Sequence, residues 1–153
     1  MQQDATDWTQ LVIDCAAVPS PVDEGRYRQW LGAQRVFVSS VMDDELRSYR
    51  EAVRTYLKKH GGQAVMWETV TPQDQPPEQA YLEGVRQSTL FLLMLGQRYG
   101  VADASGYSPT HKEANEAEQQ RLPRLLFTLP ATDRDGRLND WLRSLYSVIS
   151  GIE

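Results

Sequence analysis

The chain has 153 residues, of which 41% are hydrophobic, and a formal net charge of -5, a composition that favours one globular domain with a real core. Its Lys and Arg residues are scattered without a basic patch for nucleic acid, and no apolar run reaches the roughly 18 residues of a membrane helix. One cysteine and two histidines exclude an intramolecular disulfide framework and a Cys/His zinc site. The polar start is not a signal peptide, so a cytoplasmic protein is expected.

The segment 1–34 predicts a helical extension. Apolar residues recur at helical spacing from Trp8 to Ala16, and two prolines then end that helix. A second short helical piece reaches Gly32. We expect this extension to pack as an accessory layer on a domain that comprises residues 35–153.

From residue 35 onward, β-rich apolar segments alternate with amphipathic helical segments. Such alternation is typical of a parallel sheet with helices on both faces. We therefore predict an α/β, flavodoxin-like, three-layer fold whose four or five strands have the order 2-1-3-4(-5). The predicted strands are Arg35–Ser40, Ala64–Glu68, Thr89–Leu95 and Leu125–Leu129. Of the four predicted helices, the first contains Leu46–Leu57, the second contains Glu78–Gln87, the third begins at Pro109 and the fourth begins near Gly136.

This topology predicts a ligand crevice where strands 1 and 3 diverge at their carboxyl ends. Strand 1 ends in two hydroxyl side chains, Ser39 and Ser40, and the loop after strand 3 carries Arg98 and Tyr99. These residues are therefore expected on opposite lips of the crevice.

The helix beside the crevice carries an unusual carboxylate. Ser108 before a proline is typical of an N-cap with proline at the first helical position. Glu113 then falls among small residues that should face the sheet, rather than on the solvated face. A carboxylate there either acts on a ligand, compensates the helix N-terminus or neutralises Arg121 or Arg50.

Three other side chains on this helix are expected to be ordinary surface residues. Glu116 and Glu118 are interpreted as part of a solvated face. His111, close to the helix start, is expected on the surface.

The usual ligand motifs of this architecture are absent from the sequence. No Gly-x-Gly-x-x-Gly follows strand 1, no phosphate-binding P-loop occurs, and Leu95-Gly96-Gln97 stands where a phosphoacceptor receiver needs an aspartate. The crevice instead offers hydroxyls, an arginine, tyrosines and a carboxylate. This set suits a nucleotide-like ligand, because arginine pairs with phosphate, an aromatic ring stacks on a base and a carboxylate bonds ribose hydroxyls.

A series of short motifs also resembles one known family. The motifs lie within Arg35–Ser40, Leu46–Val53, Met66–Glu68, Val85–Ser88, Leu95–Gly100 and Ser108–Glu113. The chain is similar here to the DUF4062 family, a TIR-like branch of the group that contains TIR domains and nucleoside 2-deoxyribosyltransferases. The resemblance implies a flavodoxin-like TIR fold over about residues 35–130. The chain departs from the family pattern at Val41, Thr89 and Ala114.

The resemblance also implies roles and partners. In catalytic TIR relatives, a helix glutamate near Glu113 supports cleavage of the bond between nicotinamide and ribose in NAD+. NAD+ would then be a substrate, and no cofactor or metal is expected. Relatives commonly precede NACHT-type or other ATPase modules in bacterial proteins, several of them in anti-phage defence, and act by self-association. The residues predicted to bind ligand are Ser39, Ser40, Glu68, Arg98, Tyr99 and Ser108.

Two functional hypotheses therefore stand. The first is an enzyme domain that cleaves an N-glycosidic bond when a larger protein oligomerises. The second is a non-catalytic TIR-like module that passes a signal by self-association. An open polar crevice around Glu113 favours the first hypothesis, whereas a crevice filled by Tyr107, Met42 or Trp67 favours the second.

Overall fold

The computed structural model describes residues 24–67, 77–130 and 132–149. Within these ranges, four strands alternate with helices. The strands are β1 (Arg35–Ser40), β2 (Gln63–Val65), β3 (Leu90–Leu95) and β4 (Arg124–Thr128). The helices are α1 (Glu24–Gly32), α2 (Asp44–Lys59), α3 (Pro77–Arg86), α4 (Pro109–Gln119) and α5 (Gly136–Ile149).

The strands of the described residues form one parallel sheet in the order β2-β1-β3-β4. β1 and β3 occupy its centre, where Ser39 lies in register with Leu93. Every residue of β3 is buried, because helices cover both faces of the sheet. The predicted α/β, flavodoxin-like fold and its strand order 2-1-3-4 are therefore confirmed.

The two faces of the sheet have separate cores. On one face, α3, α4 and α5 pack over Phe37 and Phe91, whose rings stack with centroids 5.8 Å apart. On the other face, α1 and α2 pack over Val38 and Leu92. Full burial of each such side chain contributes about 1.5 to 3 kcal/mol. The sheet is thus fixed from both sides, which holds the ends of β1 and β3 in place.

Helix α1 represents the described part of the predicted extension. Its Leu31 is buried in the second core, and the hydroxyl oxygen of Tyr27 lies 3.3 Å from that of Tyr56 in α2. The predicted helix over Trp8–Ala16 lies outside the described residues. Glu68 lies outside them as well.

Helix α4 begins at Pro109, as predicted from its capping sequence. Ser108 has extended backbone angles, and its Oγ accepts a hydrogen bond of 3.3 Å from the backbone N–H of His111. The helix ends at Gln119, and Arg121 follows in the left-handed region with φ of 54°. The face predicted to meet the sheet does so, with Ala117 fully buried.

The prediction that Glu116 lies on a solvated face is wrong. Its exposed fraction is 8%, and its carboxylate accepts hydrogen bonds from Arg86 at the end of α3. Glu118, two residues farther on, is exposed as expected. The difference arises because α3 packs beside α4 on the side of Glu116, a contact that helical spacing alone does not reveal.

Helix α5 closes the first core. Leu138, Trp141 and Leu142 are buried at the spacing predicted for its apolar stripe. None of the helices in the described ranges is long and apolar enough to cross a membrane.

Candidate functional site

The centre of the site is a buried carboxylate paired with a serine. Glu113 on α4 has an exposed fraction of 7%, and Ser39 near the end of β1 has one of 1%. The Ser39 hydroxyl donates a hydrogen bond of 2.5 Å to Oε2 of Glu113. The sheet topology therefore brings together two residues that are 74 positions apart in the chain.

Burial dominates the electrostatics of this carboxylate. Desolvation raises the pKa of Glu113 from 4.5 to about 7, although the hydrogen bond from Ser39 favours the ionised form and lowers it in part. Glu113 forms no ion pair with any of the described residues. Such a group can exchange between carboxylic acid and carboxylate near neutral pH.

The two cations considered as structural partners of Glu113 have other positions. Arg121 is exposed after the end of α4. Arg50 is buried on α2, where its guanidinium donates to Oγ of Ser40 at 3.3 Å and to the carbonyl of Val41 at 3.2 Å. Ser40 is thereby held by α2, whereas its neighbour Ser39 is bonded to Glu113.

Of the two predicted loop residues, Arg98 is exposed and Tyr99 is buried. The Tyr99 hydroxyl lies 2.7 Å from Nδ1 of His111, and the guanidinium carbon of Arg137 lies 4.6 Å from the centre of the Tyr99 ring. Tyr99 thus anchors the loop to α4 and α5, while Arg98 presents a cation to solvent at the predicted crevice.

His111 was expected on the surface, but it is half-buried. Its ring stacks on Trp141 with centroids 4.1 Å apart and an interplanar angle of 10°. Burial, and then the nearby charge of Arg137, lower the pKa of His111 below its usual value. The sequence pattern missed this position because α5, which supplies Trp141, is distant in the chain.

The loop after β3 is held close to α2. Its backbone N–H at Gln97 donates a hydrogen bond of 3.1 Å to Oε2 of Glu45. A Cβ at Gly96 would lie 2.4 Å from the same oxygen, so any larger residue there would force the Glu45 carboxylate to move. Arg134 also donates to the carbonyl of Gly96 at 3.3 Å. These contacts fix the loop that carries Arg98.

A second group of polar residues borders the Glu113 side of α4. Both carboxylate oxygens of Glu78 accept hydrogen bonds of 3.0 Å from Nζ of Lys112, which also donates to Asp103. Burial raises the pKa of Tyr81 on α3, and the negative charges of Glu78 and Glu113 raise it further. The sequence carried no motif for this group, because its members come from two helices and a loop.

Three bulky side chains proposed as possible fillers of the crevice lie at the surface. Met42, Trp67 and Tyr107 have exposed fractions of 49%, 47% and 44%. Trp67 contacts Tyr81 of α3, with ring centroids 5.6 Å apart. Each of the three lies in a segment that follows a strand, β1, β2 or β3, and together they are called the apolar rim below.

Two further residues, Ser108 and Glu68, were predicted to contact the ligand. Ser108 is fully buried, and its hydroxyl oxygen serves as the cap of α4. Glu68 lies outside the described residues. In the part of the chain that the structure describes, no cluster of three or more His, Cys, Asp or Glu side chains could hold a metal ion.

The fold and the site define an α/β protein with a parallel sheet and, at its carboxyl edge, a buried carboxylate that pairs with no cation of the described residues. The model of the family described as Domain of unknown function (DUF4062) matches residues 35–140. The chain therefore belongs to this family. A comparison with curated proteins gave no match.

Several solved structures are similar to the chain at low sequence identity. A 2-desoxiribosyltransferase from Leishmania mexicana has a TM-score of 0.47 and 12% identity over 63% of this chain and 65% of its own, so the chain spans less than two thirds of that protein. The CMP N-glycosidase BcmB from Clostridium botulinum has a TM-score of 0.49 and 16% identity, covering 75% and 82% of the two chains. A 2-deoxyribosyltransferase from Bacillus psychrosaccharolyticus has a TM-score of 0.49 and 16% identity, covering 68% and 78%. Similarity at this level carries no conclusion about activity.

Proposed function

We propose that this domain binds a nucleotide and hydrolyses its N-glycosidic bond, with Glu113 as the catalytic residue and NAD+ as the substrate. The observation that carries the proposal is the buried carboxylate of Glu113, which is bonded to Ser39 and paired with no described cation. Burying a carboxylate without a cation costs stability, and such costs concentrate at functional sites.

The chemistry follows from the charge that develops in the reaction. When the bond from the anomeric carbon to the base nitrogen breaks, its electrons leave with the base and positive charge builds on the ribose. A carboxylate at Glu113 stabilises that charge or captures the carbon, and water then supplies the new hydroxyl and releases a proton. Nicotinamide leaves NAD+ as a neutral molecule, so no second acid is required for its departure.

The remaining residues have proposed roles in binding. Exposed Arg98 suits a phosphate group, and the hydrogen bond from Ser39 orients Glu113. Trp67, with its half-exposed indole, suits stacking on a base. Contacts of the ligand with Ser40, Glu68, Tyr99 and Ser108 stay predictions. Tyr99 and Ser108 are both buried, Tyr99 against His111 and Ser108 as the cap of α4.

On the basis of the family resemblance, the proposal also covers the cellular role of the domain and the trigger of its activity. A TIR-like domain would act on self-association, driven by a fused NACHT-type or related ATPase module, in bacterial anti-phage defence or signalling in the cytoplasm. We expect a monomer or weak dimer with little activity at low concentration, and turnover per molecule that rises with concentration. Light scattering that gives a stable, concentration-independent higher oligomer would contradict this expectation.

The apolar rim supports a second candidate, a non-catalytic interaction module. Val101 is 87% exposed in the loop after β3, close in sequence to the half-exposed Tyr107. Apolar side chains exposed together at one edge are typical of protein contacts. In that case the same surface would mediate self-association and Glu113 would have no substrate.

The deciding experiment measures release of nicotinamide from NAD+ by concentrated protein. Glu113→Gln tests the carboxylate, and Glu118→Gln is the matched control because Glu118 is exposed on the same helix. We expect Glu113→Gln to lower turnover by about a hundredfold or more and Glu118→Gln to leave it unchanged. Absence of turnover with NAD+, nucleosides and nucleoside monophosphates at high concentration would favour the interaction module.

A further inference from the structure

A second cleft lies between α4 and α5, away from the Ser39–Glu113 pair. Its volume is about 460 Å³, and its floor is the apolar surface of β3 and β4, formed by Phe91, Leu93 and Leu126. Neither Glu113 nor Ser39 lines it. Volumes of about 300 to 1,000 Å³ with a mostly apolar lining are typical of sites for small molecules.

Polar groups stand at the walls of this cleft. His111 and Asn115 line it from α4, and Ser144 lines it from α5. Nδ1 of His111 already contacts the hydroxyl of Tyr99, so Nε2 is the ring nitrogen left for a ligand. An apolar floor with a few hydrogen-bonding groups fixes the orientation of a bound molecule.

The charges around the cleft cancel. Glu118 and Arg124 both line it, and the guanidinium of Arg124 lies 3.6 Å from the carboxylate of Glu118. Burial lowers the pKa of His111, so its imidazole is neutral at neutral pH. A ligand with a net charge would find no uncompensated opposite charge among these lining residues.

The shape of the wall favours a flat molecule. Trp141 and His111 both line the cleft, and their rings are nearly parallel, with an interplanar angle of 10°. An aromatic ligand can pack against the edges or the free face of such a stack.

We propose that the α4–α5 cleft is a second binding site, which takes a small, flat, uncharged and mostly apolar molecule with a hydrogen-bonding group. This site uses neither Glu113 nor Ser39, so it does not depend on the proposed glycosidic activity.

The test uses prodan, an uncharged flat fluorophore, with the whole chain. Titration should give saturable binding at one site, with energy transfer from tryptophan to the bound fluorophore. Ser144→Phe places a ring in the cleft and should weaken binding by about tenfold or more. Arg143→Phe adds the same ring to the exposed neighbouring position of α5 and should leave binding unchanged. Glu113→Gln should also leave it unchanged, which separates this site from the proposed catalytic one.

Amide chemical shifts of the unmodified chain supply a second measurement that needs no variant. Prodan should change the amide chemical shifts of Asn115, Leu126 and Ser144 and leave those of Met42 and Trp67 unchanged. The proposal is overturned if no saturable binding occurs, if Ser144→Phe binds as tightly as Arg143→Phe, or if the shifted amides cluster at the rim around Trp67.

Discussion

Two glutamates on the same helix, Glu113 and Glu116, show how neighbours decide what a buried carboxylate does. Their exposed fractions are almost equal, at 7% and 8%. Glu116 accepts hydrogen bonds from Arg86 at 2.7 Å and 3.3 Å, and this arginine lowers its pKa. Glu113 accepts one from the neutral hydroxyl of Ser39, and burial raises its pKa to about 7. Burial alone therefore does not identify a functional acid.

The two carboxylates also differ in how they can respond to a ligand. The carboxylate of Glu116 is held ionised by a cation, so it stabilises the contact between α3 and α4 and has little capacity to respond to a ligand. Glu113 can change its protonation state near neutral pH, and no cation within residues 24–67, 77–130 and 132–149 compensates its charge. A developing positive charge on a ligand would therefore interact more strongly with Glu113 than with Glu116.

We expect the largest loss of stability when the contact of α5 with α4, the helix that carries both glutamates, is removed. Trp141 of α5 is 7% exposed and stacks on His111 of α4, so Trp141→Ala should cost about 3 to 5 kcal/mol of unfolding free energy. Urea denaturation measures this cost. Trp30→Ala is the control, because Trp30 is 44% exposed. A Trp141→Ala protein within about 1 kcal/mol of the parent would mean that α5 does not support α4.

Exchanging each glutamate for glutamine should separate their roles most directly. Glu113→Gln keeps an acceptor for Ser39 but loses the charge, so turnover should fall by about a hundredfold or more while the fold is retained. Nicotinamide release and thermal melting are measured on one preparation. Binding of the intact nucleotide should persist.

A different outcome would end the catalytic proposal for Glu113. If Glu113→Gln is unstable yet fully active per folded molecule, the carboxylate is a structural group like Glu116.

Glu116→Gln should show the opposite behaviour. The change removes the negative charge that Arg86 binds, so the melting temperature should fall, by less than for Trp141→Ala because the Arg86 side chain is 44% exposed and screened by solvent. Turnover per folded molecule should be unchanged. Loss of activity without loss of stability would show that Glu116 also contributes to the site.

The pH dependence of stability should separate the two glutamates further. For Glu113, the folded pKa of about 7 is above the ordinary value of 4.5, so the unfolded chain releases its proton first. Its contribution to stability is therefore greatest below pH 4.5 and is lost as the pH rises to about 7. Glu113→Gln should remove that decline, which urea melts across this range can measure.

For Glu116 the sign is reversed. Its folded pKa is lowered, so its stabilising contribution is present above the ordinary carboxyl pKa and is lost as the pH falls through the folded value. Glu116→Gln should flatten the acid side of the stability profile and leave the neutral side unchanged. Equal slopes for the two variants would contradict the contrast between the two glutamates.

Turnover should follow the ionised form of Glu113. If the carboxylate stabilises positive charge, kcat/KM for NAD+ should rise as the pH increases through about 7. A rate that instead falls through this range would indicate that Glu113 acts as an acid.

Much of the fold could be predicted from local patterns. The alternation of apolar strands with amphipathic helices predicted the parallel order 2-1-3-4, because crossover connections leave few other arrangements. The Ser108–Pro109 pair predicted the start of α4, and helical spacing predicted that Glu113 faces inward. Each of these features depends on residues that are close together in the chain.

The partners of the buried groups were decided only by tertiary structure. Spacing within α4 could not show that Ser39, rather than Arg50 or Arg121, bonds to Glu113. Nor could it show that Arg86 of α3 donates hydrogen bonds to Glu116, or that Trp141 of α5 stacks on His111. These contacts depend on how helices pack beside one another across the sheet, and the pKa of each carboxyl follows from the partner and the desolvation that this packing provides.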